Sequence, residues 1–185
     1  MNKCVMGIGV LMLAGTATAQ PMQGAYVAPA PAVRTGLAFE ANLGFGILRA
    51  DADNGNSDSQ NGLGGLDLGI GGYLNPRLAI TLRAAGVTYS ESGGHITQAF
   101  FGPSVQYFAT DNVWLGGGIG VGIGQVVVDG AGSSSDSGLG LDLRAGYTFN
   151  PEAKHAFNAS LEITPAFLDG GTLTGIAFLA GYQLQ

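Results

Sequence analysis

The sequence predicts an all-β fold, an eight-stranded antiparallel up-and-down transmembrane β-barrel. Three observations predict it: apolar residues recur at every second position in eight segments, these segments run to roughly ten to thirteen residues, and their connections alternate between tight turns and polar loops. A tilted strand of about 9 to 11 residues spans a bilayer, whereas ordinary strands average about five or six. Each segment is therefore long enough to cross a membrane with one apolar face.

The composition agrees with this class. Of the 185 residues, 46% are hydrophobic, only 11% are charged and 33 are Gly. The ample apolar content excludes a charge-driven disordered chain. Seven Lys and Arg face thirteen Asp and Glu, which argues against a nucleic-acid binder. The glycines follow no three-residue period, which excludes collagen.

The N-terminus has the pattern of a secretory signal peptide, residues 1–19. Lys3 precedes an apolar run at 4–15, and Ala17-Thr18-Ala19 is the expected cleavage site. The run is too short for a membrane-anchoring helix, and Thr16 stands where a lipidated Cys would be needed. The only cysteine, Cys4, would leave with the signal. Residues 20–35 hold three prolines and are expected to form an extended N-terminal tail.

The barrel is expected over residues 36–185, and its first strand shows the alternation most clearly. Alternate positions from Leu37 to Ile47 are apolar, and the positions between them are small or polar. The same period of two marks seven further strands, and the alternation is visible over 66–74, 78–85, 104–107, 113–124, 139–149, 157–167 and 175–184. In the fifth strand the second face is a column of glycines, expected to leave room for neighbouring Arg and aromatic side chains.

The connections indicate which rim is which. Tight turns are predicted at 75–76, 110–112 and 150–154. Polar loops, acidic and mobile, are predicted at 50–61, 90–95, 129–138 and 169–171. Short turns on one rim and longer loops on the other are typical of outer-membrane barrels. Six aromatic residues near the tight turns are expected at the membrane–water interface: Tyr73, Tyr107, Trp114, Tyr147, Phe149 and Tyr182.

A secreted soluble β-sandwich or lipocalin-like barrel is the alternative. There the apolar faces would point inward and the solvent surface would be built of Gly and Ala with few charges, which is a poor soluble surface. The membrane orientation is therefore the favoured interpretation.

With these features the chain resembles the small eight-stranded outer-membrane barrels, such as the OmpA transmembrane domain and the OmpX-type proteins. The resemblance covers residues 36–185 and the signal, and includes the aromatic-bearing end Gly181-Tyr182-Gln183-Leu184-Gln185. Two features depart from it. Gln185 stands where such barrels commonly end in an aromatic residue, and Pro103 and Pro165 fall inside strands, where a bulge is expected.

Charged residues on the predicted inner faces form the candidate site. We expect Asp67 to pair with Arg83 on the neighbouring strand, and Arg144 to reach Glu162. Pairing is expected because an unpaired charge in a narrow lumen is costly. A salt-bridge network that closes the lumen is favoured over a gated ion path. The predicted network comprises Glu40, Asp67, Arg83, Asp142, Arg144 and Glu162.

No catalytic, cofactor-binding or metal-binding residues are predicted, so the chain is not expected to be an enzyme. His95 and His155 lie near opposite rims and make a poor catalytic pair. The acidic segment from Asp51 lacks the Gly and Glu of a calcium loop. The glycine column lacks the ending of a phosphate-binding loop.

The sequence therefore predicts a monomeric outer-membrane protein with a structural or surface-interaction role. Its expected partners are outer-membrane lipid and lipopolysaccharide, together with the barrel-assembly machinery. A narrow pore or a binder of small apolar molecules, like the OmpW-type barrels, is the second hypothesis. A lipid-modifying enzyme is the third.

Overall fold

A computed structural model describes residues 32–52, 55 and 57–185. The predicted signal peptide and most of the predicted tail lie outside the described residues. Eight strands follow one another in the described part: β1 (Leu37–Ala52), β2 (Ser57–Asn75), β3 (Leu78–Glu91), β4 (Gly94–Phe108), β5 (Val113–Val128), β6 (Gly132–Thr148), β7 (His155–Leu168) and β8 (Gly171–Leu184). No helix in this part is long and apolar enough to cross a membrane.

Each strand pairs antiparallel with its neighbour in sequence, and β1 pairs with β8, so the sheet closes into a barrel. This confirms the predicted fold. One rim carries the β2–β3, β4–β5 and β6–β7 turns and both ends of the sheet, and we call it the termini rim. The other rim carries the β1–β2, β3–β4, β5–β6 and β7–β8 connections, and we call it the hairpin rim.

The predicted mobile loops at the hairpin rim are largely wrong. Most of their residues continue the strands: β6 begins at Gly132, β3 ends at Glu91 and β4 begins at Gly94. The strands are accordingly 14 to 19 residues long, above the predicted length. Polar, Ser-rich segments pair here through their backbones, and Ser134, for example, lies opposite Val126. The prediction missed these pairs because it relied on an apolar face, which the Ser-rich segments lack.

The bulges predicted at the prolines are also wrong. Across Pro103 the register is unchanged, since Phe101 pairs with Val121 and Ser104 with Gly118. The prolines interrupt the ladder without adding a residue, which is the expected effect of a missing N–H donor. Register shifts occur instead opposite Gly44/Phe45, where Gly64 has a positive φ of 123°, and between Tyr73 and Asn75.

The burial of side chains is the reverse of that in a soluble protein. Apolar residues of the outward face are exposed, including Leu43 at 68% and Phe157 at 65%. The largest fully buried side chains include Arg34, Arg83, Asp67 and Asp142. Membrane barrels have this pattern, an apolar band outside and a polar interior, because lipid-facing and lumen-facing residues alternate along each strand.

Candidate functional site: the lumen

Arg83 on β3 is the centre of a buried ion cluster in the lumen. Its guanidinium donates to Asp142 Oδ2 on β6 at 2.6 Å and to Glu162 Oε2 on β7 at 3.0 Å. It also pairs with Asp67 on β2, and lies 3.8 Å from Glu40 Oε1 on β1. One side chain thus contacts carboxylates from four other strands, so the cluster crosses the lumen.

Arg144 on β6 is the second cation of the cluster. Its Nη1 donates to Glu40 Oε1 at 2.8 Å, and its Nε lies 3.7 Å from Asp142 Oδ2. Glu162 is the cross-strand neighbour of Arg144, yet it forms its ion pair with Arg83. The expected Arg144–Glu162 pair is therefore wrong, because the Arg144 guanidinium reaches across the lumen to Glu40 on β1 rather than toward the neighbouring β7.

Two neutral residues, absent from the predicted network, complete the hydrogen bonding. Asn42 Nδ2 donates to Glu40 Oε1 at 3.0 Å and to Asp67 Oδ2 at 2.8 Å. Ser104 Oγ donates to Asp142 Oδ2 at 3.1 Å. Both lie on the inward face that the alternation predicts, so the position in the strand was the available signal. Neutral donors matter here because four carboxylates face only two guanidinium groups.

An apolar layer lies on the hairpin-rim side of the cluster. Leu48, Val87, Ala177 and Leu179 pack together there, with Tyr89 and Ile96 against them. Beyond Val87, Gln98 accepts a hydrogen bond from Thr164 Oγ1 at 2.9 Å. The lumen is thus filled by side chains on both sides of this layer, as expected for a barrel of eight strands.

Aromatic side chains fill the lumen toward the termini rim. Trp114 is fully buried, and the Arg144 guanidinium lies 5.2 Å from its ring centroid. Tyr73 packs against the buried Phe108 with ring centroids 6.3 Å apart. The prediction that Trp114 and Tyr73 lie at the membrane interface is therefore wrong. Both occupy inward positions of their strands, and the alternation of the faces outweighs the preference of aromatic residues for an interface.

The other four predicted interface aromatics occupy outward positions near the termini rim. Their placement at a membrane surface stays a prediction. They are Tyr107, Tyr147, Phe149 and Tyr182.

Residues 32–36 close the lumen at the termini rim. Arg34 is 1% exposed, and its guanidinium carbon lies 3.7 Å from the centroid of the Phe108 ring. Its Nη2 donates to the Asp111 carbonyl at 2.5 Å, and its Nε donates to Gln185 Oε1. Burial lowers the pKa of Arg34, with Tyr73 and Asp111 opposing this effect. The sequence assigned this segment to an extended tail and missed its role as a plug.

The two histidines do not form a catalytic site. His155 Nδ1 shares a hydrogen bond with the Tyr182 hydroxyl near the termini rim, whereas His95 lies on β4 near the hairpin rim. Ser90 is the cross-strand partner of His95, but no hydrogen bond joins their side chains in the described residues. The same residues contain no group of three or more His, Cys, Asp or Glu side chains that could hold a metal ion.

A closed antiparallel barrel of eight strands, apolar outside and charged within, has the architecture of the small outer-membrane barrels. Solved structures of that class match the chain. Ail of Yersinia pestis, in complex with the heparin analogue sucrose octasulfate, matches with a TM-score of 0.58 and 24% identity over 81% of this chain and 99% of that one. Neisserial surface protein A matches with a TM-score of 0.61 and 17% identity over 81% and 97%.

These likenesses confirm the predicted fold and the resemblance to small outer-membrane barrels. At these identities they concern the fold alone. No protein-family model matches the chain, and no curated protein matches it by sequence.

Proposed function

We propose that this chain is an integral outer-membrane protein with a structural or surface-interaction role and a lumen closed by paired charges. The observation that carries the proposal is the reversed burial, with an exposed apolar band outside and an ion cluster within. In water such a band would drive association, whereas in a bilayer it replaces contact with water by contact with lipid. Outer-membrane lipid and lipopolysaccharide are accordingly its proposed surroundings, with the hairpin rim outward.

The cluster supports a closed lumen rather than a pore. Arg83 contacts carboxylates on four strands, and the rings of Phe108 and Trp114 occupy the lumen between Arg83 and the termini rim. An ion passing through the lumen would have to displace these buried pairs. Breaking one such pair costs about 3–5 kcal/mol. A non-enzymatic role is part of the proposal, and the placement of His95 and His155 near opposite rims supports it.

Cell fractionation and gel migration test the proposal. We expect the protein in the outer-membrane fraction, with faster migration in unboiled SDS samples because a closed barrel keeps its compact shape. Planar bilayers are expected to show no conductance above background. Recovery in the soluble periplasmic fraction without a boiling-dependent shift would overturn the membrane assignment, and conductance steps would overturn the closed lumen.

A second candidate function, binding of a small apolar molecule, is favoured by one observation. A cavity of about 340 Å³ opens at the hairpin rim and is lined partly by Ile96, Val126, Leu168 and Leu173. Cavities of about 300–1,000 Å³ with mostly apolar walls are typical of small-molecule sites.

A further inference from the structure

The cavity at the hairpin rim, here called the outer cup, is an apolar site on a surface that is otherwise polar. Val126 lines it and is 43% exposed. At its base, a methyl group added to Gly124 would lie 2.6 Å from Leu168 Cδ1 and 3.3 Å from Leu173 Cδ2. The absence of a side chain at Gly124 therefore lets these two leucines pack against its backbone and form an apolar base. Apolar side chains exposed together in a concave site indicate an apolar ligand.

The heights of the hairpins explain why the outer cup is open. β7 ends at Leu168 and β8 begins at Gly171, so their connection is short. The neighbouring β6 begins at Gly132 and pairs with β7 only from Leu139 onward. Its first residues therefore extend beyond the β7–β8 turn and form a wall of the outer cup. On the side of the β7–β8 turn the wall is shorter, so the outer cup is open there.

Carboxylates of three aspartates surround the outer cup. Asp51 is paired with Arg49 at 2.9 Å. Asp136 accepts hydrogen bonds from the backbone N–H groups of Ser137 and Asp169, at 2.8 Å and 3.0 Å, which fix its carboxylate. No ion pair neutralises Asp136 or Asp169 within the described ranges.

Cations are concentrated elsewhere in the barrel. Of the Lys and Arg side chains in the described part, Arg49 alone lies near the outer cup. Arg34, Arg77 and Lys154 lie at the termini rim, and Arg83 and Arg144 are buried in the ion cluster. The potential at the outer cup is therefore negative, which favours a cationic ligand over an anionic one.

We propose that the outer cup binds a small molecule with an apolar body and a protonated amine. The body packs against Ile96, Val126 and Leu173, and the ammonium group lies beside Asp136 and Asp169. This proposal rests on the second candidate function and adds the chemical class of its ligand. It does not depend on the structural role proposed first.

Three matched probes test the chemistry: octylamine, octanol and octanoate, titrated into the protein in nanodiscs of neutral lipid. Methyl NMR of Ile96, Val126 and Leu173 reports occupancy, and empty nanodiscs correct for partition into lipid. We expect saturable shifts with octylamine, weaker binding of octanol and the weakest binding of octanoate. Equal binding of the three probes, or a preference for octanoate, would overturn the proposed ligand class while leaving an apolar site intact. The absence of saturable shifts with any probe would remove the site altogether.

Variants separate the contribution of charge from that of the apolar wall. The double variant Asp136→Asn, Asp169→Asn is expected to weaken octylamine binding about five- to tenfold, since each exposed ion pair contributes modestly, and to leave octanol binding unchanged. Asp129→Asn removes one carboxylate from the β5–β6 turn outside the cup lining and serves as the control. Leu173→Asn is expected to weaken both probes. Boiling-dependent gel migration checks that every variant is folded, and unchanged octylamine affinity in the folded double variant would contradict the proposal.

Discussion

Arg83 holds the ion cluster together at the scale of single residues. Because its guanidinium is buried among four carboxylates, removing it leaves those carboxylates without their shared cation. Breaking a buried pair in this way costs about 3–5 kcal/mol. We therefore expect Arg83→Met to lower the free energy of unfolding by that amount, measured by urea titration in lipid vesicles with the fluorescence of the single tryptophan, Trp114.

The exposed pair of Arg49 and Asp51 provides the control for Arg83. Their side chains are 56% and 39% exposed, so Arg49→Met should change the free energy of unfolding by less than about 1 kcal/mol. Equal effects of the two substitutions would show that the cluster contributes little to stability.

Gly146 makes room for the Trp114 ring. A methyl group added there would lie 2.2 Å from Trp114 Cζ2 and 2.4 Å from Cε2. Such overpacking costs about 1–3 kcal/mol, so Gly146→Ala should lower the midpoint of urea unfolding. At Gly117 the nearest atom would be 3.5 Å away, so Gly117→Ala should be neutral. If both variants unfold at the wild-type midpoint, the packing of the Trp114 ring does not require a glycine at position 146.

At the scale of elements, residues 32–36 act as a plug rather than a linker. Arg34 joins Phe108, the β4–β5 turn at Asp111 and Gln185 after β8. We expect Arg34→Ala to lower the free energy of unfolding by about 1–3 kcal/mol, through the lost stacking and charge-assisted hydrogen bonds. Hydrogen exchange should also quicken at the Gln185 amide, which is bonded to the Lys154 carbonyl at 3.0 Å.

Val33 supplies the matched control in the same segment. It is 74% exposed, so Val33→Ala should leave both the free energy of unfolding and the exchange of Gln185 unchanged. Loss of protection in both variants, or in neither, would mean that Arg34 is not the residue that holds the plug.

The elements also show what the sequence could predict. Alternation identified the inward positions of Asp67, Arg83 and Arg144 because a strand places successive side chains on opposite faces. It could not identify which guanidinium meets which carboxylate, since Arg83 reaches Glu162 across the lumen, a contact set by barrel diameter and stagger. Trp114 was misplaced because a general preference for interfaces was given more weight than its inward parity.

At the scale of the whole molecule, the reversed burial predicts that a charge costs different amounts of stability at two outward positions. Leu143 lies near the middle of the apolar face of β6 and is 54% exposed, whereas Val113 begins β5 at the termini rim. In a bilayer, Leu143→Arg should lower the free energy of unfolding by about 2–4 kcal/mol, and Val113→Arg by about 0–1. Urea unfolding in lipid vesicles measures both. A soluble barrel would instead tolerate both substitutions, because each side chain would face water.

The pairing of β1 with β8 has a consequence for how the chain can be made. Fourteen residue pairs join these strands, from Phe39 with Leu184 to Ala52 with Gly171. One edge of β1 therefore stays unpaired until β8 is present. The contacts that close the barrel join residues separated by almost the whole barrel sequence. Such distant contacts slow folding. The barrel can consequently close only after β8 has been synthesised. A fusion attached beyond Gln185 would emerge at the termini rim, beside residues 32–36.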